Sequence, residues 1–174
     1  TKRLKEIVQE SRSRMEMIIN QSGHMMAMNR LSSYFSPAGK YTELNSGISF
    51  YRFLSDLERN FEDRKDELVE KLEKVYEFIF RKNNLVVGVT LSDEDYPKFT
   101  EHFKVFSDSL RVQELPPAAF DFEVSPNNEG LMTPSKIQYV AKGFSFLKMG
   151  YSYTGHLQVL RTIANLDYLW NRVR

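Results

Sequence analysis

At 174 residues the chain is long enough for one domain or two small ones with a sizeable core. Its 24 basic and 23 acidic side chains leave a net charge of +1 with no long single-sign run, which excludes the basic stripe of a nucleic-acid or membrane-surface binder. There is no cysteine for disulfides or thiolate metal sites, no apolar run of the length a bilayer needs (about 18 residues), and no visible signal peptide.

Leu4, Ile7, Val8, Met15, Ile18 and Ile19 recur at helical spacing, and the pattern predicts a helix from about residue 2 to Gln21. Ser22-Gly23 breaks it before a second helical stretch from His24 to about Tyr34. Ser36-Pro37-Ala38-Gly39 reads as a loop, and Ser46-Gly47 as the next helix start. From Phe50 to Arg81, Leu54, Leu57, Phe61, Leu68, Leu72, Val75, Tyr76 and Ile79 form one apolar stripe opposite a charged face. The segment fits one long helix or two with a bend near Asp63, and Arg81 suits a helix C-terminus.

The period then changes. Leu85-Val86-Val87-Gly88-Val89-Thr90 is short, apolar and β-branched, the pattern of a buried strand. Ser92 followed by Asp93, Glu94 and Asp95 suits a helix start, with Phe99, Phe103, Phe106 and Leu110 along the apolar face. Leu115-Pro116-Pro117 reads as a linker and 125–130 as a polar turn region. Ile137 to Phe146 reads as a second strand, and Thr154-Gly155 opens the final helix. The expected fold class is therefore α+β. A helical segment over 1–82 precedes an α/β unit over 83–174, whose sheet holds 85–90 and 137–145 and carries an unprotected edge able to pair with a second copy.

Two blocks of residues carry a family likeness. At one end are Tyr139-Val140-Ala141-Lys142-Gly143, Gly150-Tyr151 and Tyr168-Leu169-Trp170-Asn171-Arg172-Val173-Arg174. At the other are Leu4-Lys5-Glu6-Ile7-Val8-Gln9-Glu10, Ser13-Arg14-Met15-Glu16, Ser22-Gly23-His24, Ser33-Tyr34-Phe35-Ser36-Pro37 and Gly47-Ile48-Ser49-Phe50-Tyr51-Arg52-Phe53-Leu54. In this order they resemble the presequence proteases of the pitrilysin/insulinase family of zinc metallopeptidases. The middle, from about Phe61 to Thr133, carries little of the likeness.

The resemblance implies a parent of four related α/β units in two bowl-like halves, enclosing a chamber in which peptides and unfolded polypeptide are cleaved. This segment would be the end of the third unit, the connection, and an incomplete fourth unit. It would form chamber wall and substrate contacts, with the rest of the parent chain as its partner. The resemblance also implies zinc in the parent's amino-terminal part, where an inverted His-x-x-Glu-His pair lies. The compartment would be cytoplasm in a bacterium and an organelle matrix in a eukaryote. The alternative is a non-catalytic scaffold or assembly subunit of the same fold, since inactive relatives would look alike here.

Tested on its own residues, the segment offers little catalytic chemistry. His24, His102 and His156 are scattered, and none has a second histidine at ligand spacing, so no metal site and no catalytic residue is expected in this segment. Glu101-His102 reads as a surface helix pair and His24 as packing at a helix bend. Ser49, Ser145 and Ser152 each follow a Gly-x-Ser start without the closing glycine of a nucleophile elbow. Asp93-Glu94-Asp95 has a sufficient reason at a helix start. Met15, Met17, Met25, Met26 and Met28 fit either a flexible helical core or an adaptable peptide-binding surface. Asn20-Gln21-Ser22, a formal glycosylation acceptor, falls inside a helix. Arg172 and Arg174 suit a helix C-terminus. The resemblance gives Arg174 a sharper role, holding the substrate backbone together with a tyrosine that would follow it.

Overall fold

The computed structural model describes residues 2–173 apart from 115, 117, 118, 134 and 135, and excepting the side chain of Val173. Among the described residues, eight α-helices follow in order: α1 Lys2–Gln21, α2 Gly23–Ser32, α3 Pro37–Ser46, α4 Ile48–Arg59, α5 Phe61–Ile79, α6 Tyr96–Ser109, α7 Gly155–Ile163 and α8 Leu169–Val173. A π-helical turn, Ala164–Tyr168, joins α7 to α8, and short 3-10 turns lie at Lys82–Asn84 and Leu147–Met149. The chain divides into two compact units, Thr1–Met17 with Ser49–Asp121, and Ile18–Ile48 with Phe122–Arg174.

In the first unit the apolar stripe of α1 meets those of α4 and α5. Val8, Leu57 and Phe61 are buried together, with Leu4 and Leu68 packed against them. Each such side chain contributes about 1.5–3 kcal/mol when fully removed from water. Ion pairs flank this core: Lys5 reaches Glu62 at 3.0 Å, and Arg12 bridges Glu16 at 2.8 Å and Glu58 at 3.6 Å. The long periodic segment breaks at Asn60, between α4 and α5, so two helices replace one. Beyond Glu70, α5 is exposed on every face, Leu72, Val75, Tyr76 and Ile79 included. It is supported there by Glu67–Lys71 and Glu70–Lys74 pairs in the favourable i, i+4 order.

In the second unit, Ser36-Pro37-Ala38-Gly39 starts a helix where the sequence pattern predicts a loop. The Ser36 side chain accepts from the Gly39 amide at 3.0 Å and Pro37 stands in the first turn, where its missing N–H costs nothing. The expected break at Ser22-Gly23 is present, with α2 beginning at Gly23.

The expected α+β class is overturned. Among the described residues there is no strand or sheet, only an isolated bridge between Arg81 and Arg111, where the Lys82 amide donates to the Arg111 carbonyl at 2.8 Å. Residues 85–90 and 137–146 have strand-like side chains but run without a ladder. Val86 and Val140 are 94% and 84% exposed. β-propensity reflects fit to a pleated, paired surface, and without a partner strand an apolar, β-branched run gains nothing from an extended backbone. The expected sheet edge, and the self-association expected from it, fall with the sheet. No described helix is long and apolar enough to cross a membrane.

Candidate functional site

The densest set of charged and polar contacts lies in the second unit. Arg30, on the last turn of α2, extends its guanidinium toward α3 and toward the irregular segment that contains Glu129. Nη1 donates to Glu43 Oε1 at 3.0 Å. Nε and Nη2 grip the two oxygens of Glu129 as a fork, the second at 3.2 Å. The Tyr34 hydroxyl accepts from Arg30 Nε at 3.1 Å and donates to Glu129. The Arg30 guanidinium also lies over the Tyr34 ring, 5.5 Å from its centre.

Glu43 is fully buried, and Gly47 is what makes room for it. A Cβ on Gly47 would stand 2.0 Å from Glu43 Oε2. Ser33, 2% exposed, donates its hydroxyl to the Arg30 carbonyl at 2.6 Å. Two carboxylates thus share one guanidinium, with a phenol across the second pair. The hydrogen bond from Glu129 raises the Arg30 pKa against the opposing effect of burial, so Arg30 stays cationic throughout the accessible range. Burial, then the hydrogen bond to Glu129, pushes the Tyr34 phenol up. Beside this cluster is a recess of about 270 Å³. Arg30, Ser33, Tyr34 and Lys40 form one wall, and Glu123, Ser125, Pro126 and Asn127 the other. With its fork closed on carboxylates, the cluster binds and positions chain segments; it presents no activated nucleophile.

The residues singled out in the sequence are distributed differently. His24 is exposed, its ring 5.9 Å from that of Tyr139, as packing at the helix bend predicts. His102 and His156 are exposed on α6 and α7. No three histidine, aspartate or glutamate side chains among the described residues are grouped to hold a metal, so this segment does not fit the zinc that the resemblance assigns to the parent. Asp93, Glu94 and Asp95 precede α6, with Asp95 taking Ser92 Oγ at 2.9 Å and Lys98 at 3.2 Å. The methionines split: Met15 and Met26 are buried, whereas Met17, Met25 and Met28 are about half exposed. Arg172 lies in the last turn of α8. Arg174, like Leu115 and Pro117 of the expected linker, lies outside the described residues.

Sequence reasoning missed Arg30, Glu43 and Glu129. Arg30 and Tyr34 are spaced to meet on one helical turn, but Glu129 lies 99 residues from Arg30 and inside a stretch that reads only as a polar turn. Arg81, which reads in the sequence as a cation at a helix end, is buried instead. It donates to the Gln113 carbonyl at 3.1 Å and lies 4.7 Å from the Phe78 ring centre, so that it ties 111–113 to the end of α5.

These features define a helical segment built around internal charge pairs, and comparison with known proteins gives it a lineage. Residues 1–57 match the family described as peptidase M16, subfamily C, associated. Over 172 residues the chain is 38% identical to Protein HypA of Clostridium perfringens, covering 99% of this chain and 18% of that protein. It is 27% identical over 175 residues to presequence protease 1, chloroplastic/mitochondrial, of Arabidopsis thaliana, covering 99% of this chain and 16% of the relative. It is also 26% identical over 181 residues to the mitochondrial presequence protease of Yarrowia lipolytica, covering 99% of this chain and 18% of the relative. The chain spans less than a fifth of the length of these relatives. No solved structure matches it. The chain is related to the pitrilysin/insulinase peptidases through their presequence-protease group.

Proposed function

We propose that this chain is a non-catalytic part of a pitrilysin/insulinase-type peptidase that degrades peptides and unfolded polypeptide, contributing chamber wall and substrate contact. The observation that carries the reading is the extent of the likeness: 99% of the chain aligns with presequence proteases from a plant and a yeast. Homology along the whole segment argues for a shared place in a shared architecture, and an assembly of charge-paired helices is suited to holding a wall in position. Zinc, held by residues outside this segment, would supply the water-activating chemistry of the parent. Arg174 would hold the substrate backbone.

The test is peptide cleavage by the full-length protein, followed with an unstructured peptide before and after zinc chelation. Cleavage that is lost on chelation and restored by zinc is the expected result. A folded, full-length protein that cleaves no peptide under any metal condition would overturn the reading in favour of an assembly subunit of the same fold.

A further inference from the structure

We propose that residues 122–133 form a strap that opens and closes over the recess beside α2 and α3, with Glu129 as its latch on Arg30. The segment has no regular secondary structure and is anchored by side chains. At one end Phe122 meets the Tyr41 ring edge-on at 6.3 Å. At the other, Glu129 is gripped by the Arg30 fork and the Tyr34 hydroxyl. Between the anchors, Glu123, Ser125, Pro126 and Asn127 form the outer wall of the recess. Past the latch, Leu131 and Met132 are exposed, Met132 fully so. Little apolar surface therefore holds the strap shut, and the charge-assisted fork is a dominant closing contact.

The arrangement around Arg30 is asymmetric in a way that suits a latch. Glu43 is fully buried on α3 and keeps its bond to Nη1 whether or not Glu129 is present. Removing Glu129 leaves the guanidinium neutralised and oriented, so the helices need not rearrange when the strap lifts. Opening would widen the recess and free the Arg30 fork on the same wall as Lys40. This inference concerns the fold of the second unit and stands independently of the peptidase reading.

Ser33 provides the reporter, being 2% exposed on the inner wall of the recess. This segment contains no cysteine, so alkylation of a Ser33→Cys thiol in the full-length protein can be followed by mass spectrometry of the peptide that carries it. Glu129→Gln, which keeps shape and removes charge, is expected to speed labelling about tenfold. Glu123→Gln, on the same strap but off the fork, is expected to leave it unchanged. Hydrogen exchange of the α2 amides should not move in either variant. Equal labelling rates in Glu129→Gln and the unsubstituted strap would overturn the proposal. So would a parallel rise in α2 exchange, which would mean that the unit has melted. Should Ser33→Cys prevent folding, chymotryptic cleavage after Phe122 reads the same opening. Faster cleavage in Glu129→Gln than in Glu123→Gln supports the latch, and equal rates overturn it.

Discussion

Gly23, the first residue of α2, lies against the ring of Tyr139, close enough that a Cβ on the glycine would stand 2.6 Å from Tyr139 Cε2. These residues are 116 positions apart by their numbering, and both belong to the blocks that carry the family likeness. The Tyr139 ring also lies 5.9 Å from that of His24. A glycine that looks like a helix breaker in the sequence is therefore also a packing position for a distant aromatic.

Gly23→Ala sets two effects against each other. Alanine in a helix is favoured over glycine by about 0.5–1 kcal/mol, but its methyl group must displace the Tyr139 ring, itself 40% exposed and able to swing outward. The single variant should come out neutral to destabilising by about 1 kcal/mol, whereas in a Tyr139→Ala background the same change should stabilise. Hydrogen exchange of the α2 amides in the full-length protein, compared across the four members of the cycle, measures the coupling. Strict additivity would show that the ring does not constrain the glycine.

Gly47→Ala should be more damaging. Its Cβ would stand 2.0 Å from Glu43 Oε2 and 2.9 Å from the Glu43 Cα, and Glu43 is fully buried. The carboxylate can move away only by giving up Arg30, and breaking such a buried pair costs about 3–5 kcal/mol. Exchange of α2 and α3 amides should rise steeply while α4 and α5 in the other unit stay protected. Glu43→Gln, which keeps the volume, should be milder than Gly47→Ala.

Acid should loosen α5 before it loosens the core of the first unit. Hydrogen bonds from Lys5 and Lys65 hold Glu62 below the usual carboxylate range, the bond from Lys71 does the same for Glu67, and that from Lys74 for Glu70. Because these folded-state pKa values are depressed from 4.5, the stability they contribute is fully present above about that pH and is lost as pH falls through the folded values. The pairs are exposed, so each contribution is small and screened by salt. Exchange of the α5 amides beyond Glu70 should therefore rise between neutral pH and pH ~3, and rise less from its starting value in ~1 M salt, where the pairs are already weakened. Exchange independent of pH over that range would show that the ion pairs do not hold this end of α5.

Much of the helical organisation is legible in the residues. The stripe that contains Leu4, Val8 and Met15, the break at Ser22-Gly23, and the start of α7 after Thr154 follow from period and turn chemistry acting within a few residues. The failures occur where the outcome depends on a distant partner. The Val86 and Val140 segments have strand composition but find no ladder among the described residues, because composition does not specify pairing. Pro37 reads as a stop, yet a favourable N-cap one residue earlier makes it a start. Glu43 and Glu129 look like ordinary solvated acids until a single guanidinium from α2 brings them together. That convergence depends on three separate parts of the chain, and no local pattern encodes it.

At the end of the segment the resemblance gives two neighbouring arginines different roles. If Arg174 holds the substrate backbone during attack, its guanidinium supplies charge-assisted hydrogen bonds in a planar fork that lysine reproduces only in part. Arg174→Ala in the full-length enzyme should then lower kcat/KM by about a hundredfold or more, equivalent to ~3 kcal/mol of transition-state stabilisation. Arg174→Lys should fall between the two. Arg172, in the last turn of α8, interacts favourably with the helix dipole, and Arg172→Ala should cost less than about 1 kcal/mol in stability and little in turnover. Zinc content should be unchanged in all three variants, because the proposed role touches no metal ligand. Steady-state kinetics on one peptide, with metal content measured on the same preparations, separates the cases. Small and equal effects at both positions would make Arg174 a second helix-terminal cation and remove substrate contact from this part of the chain.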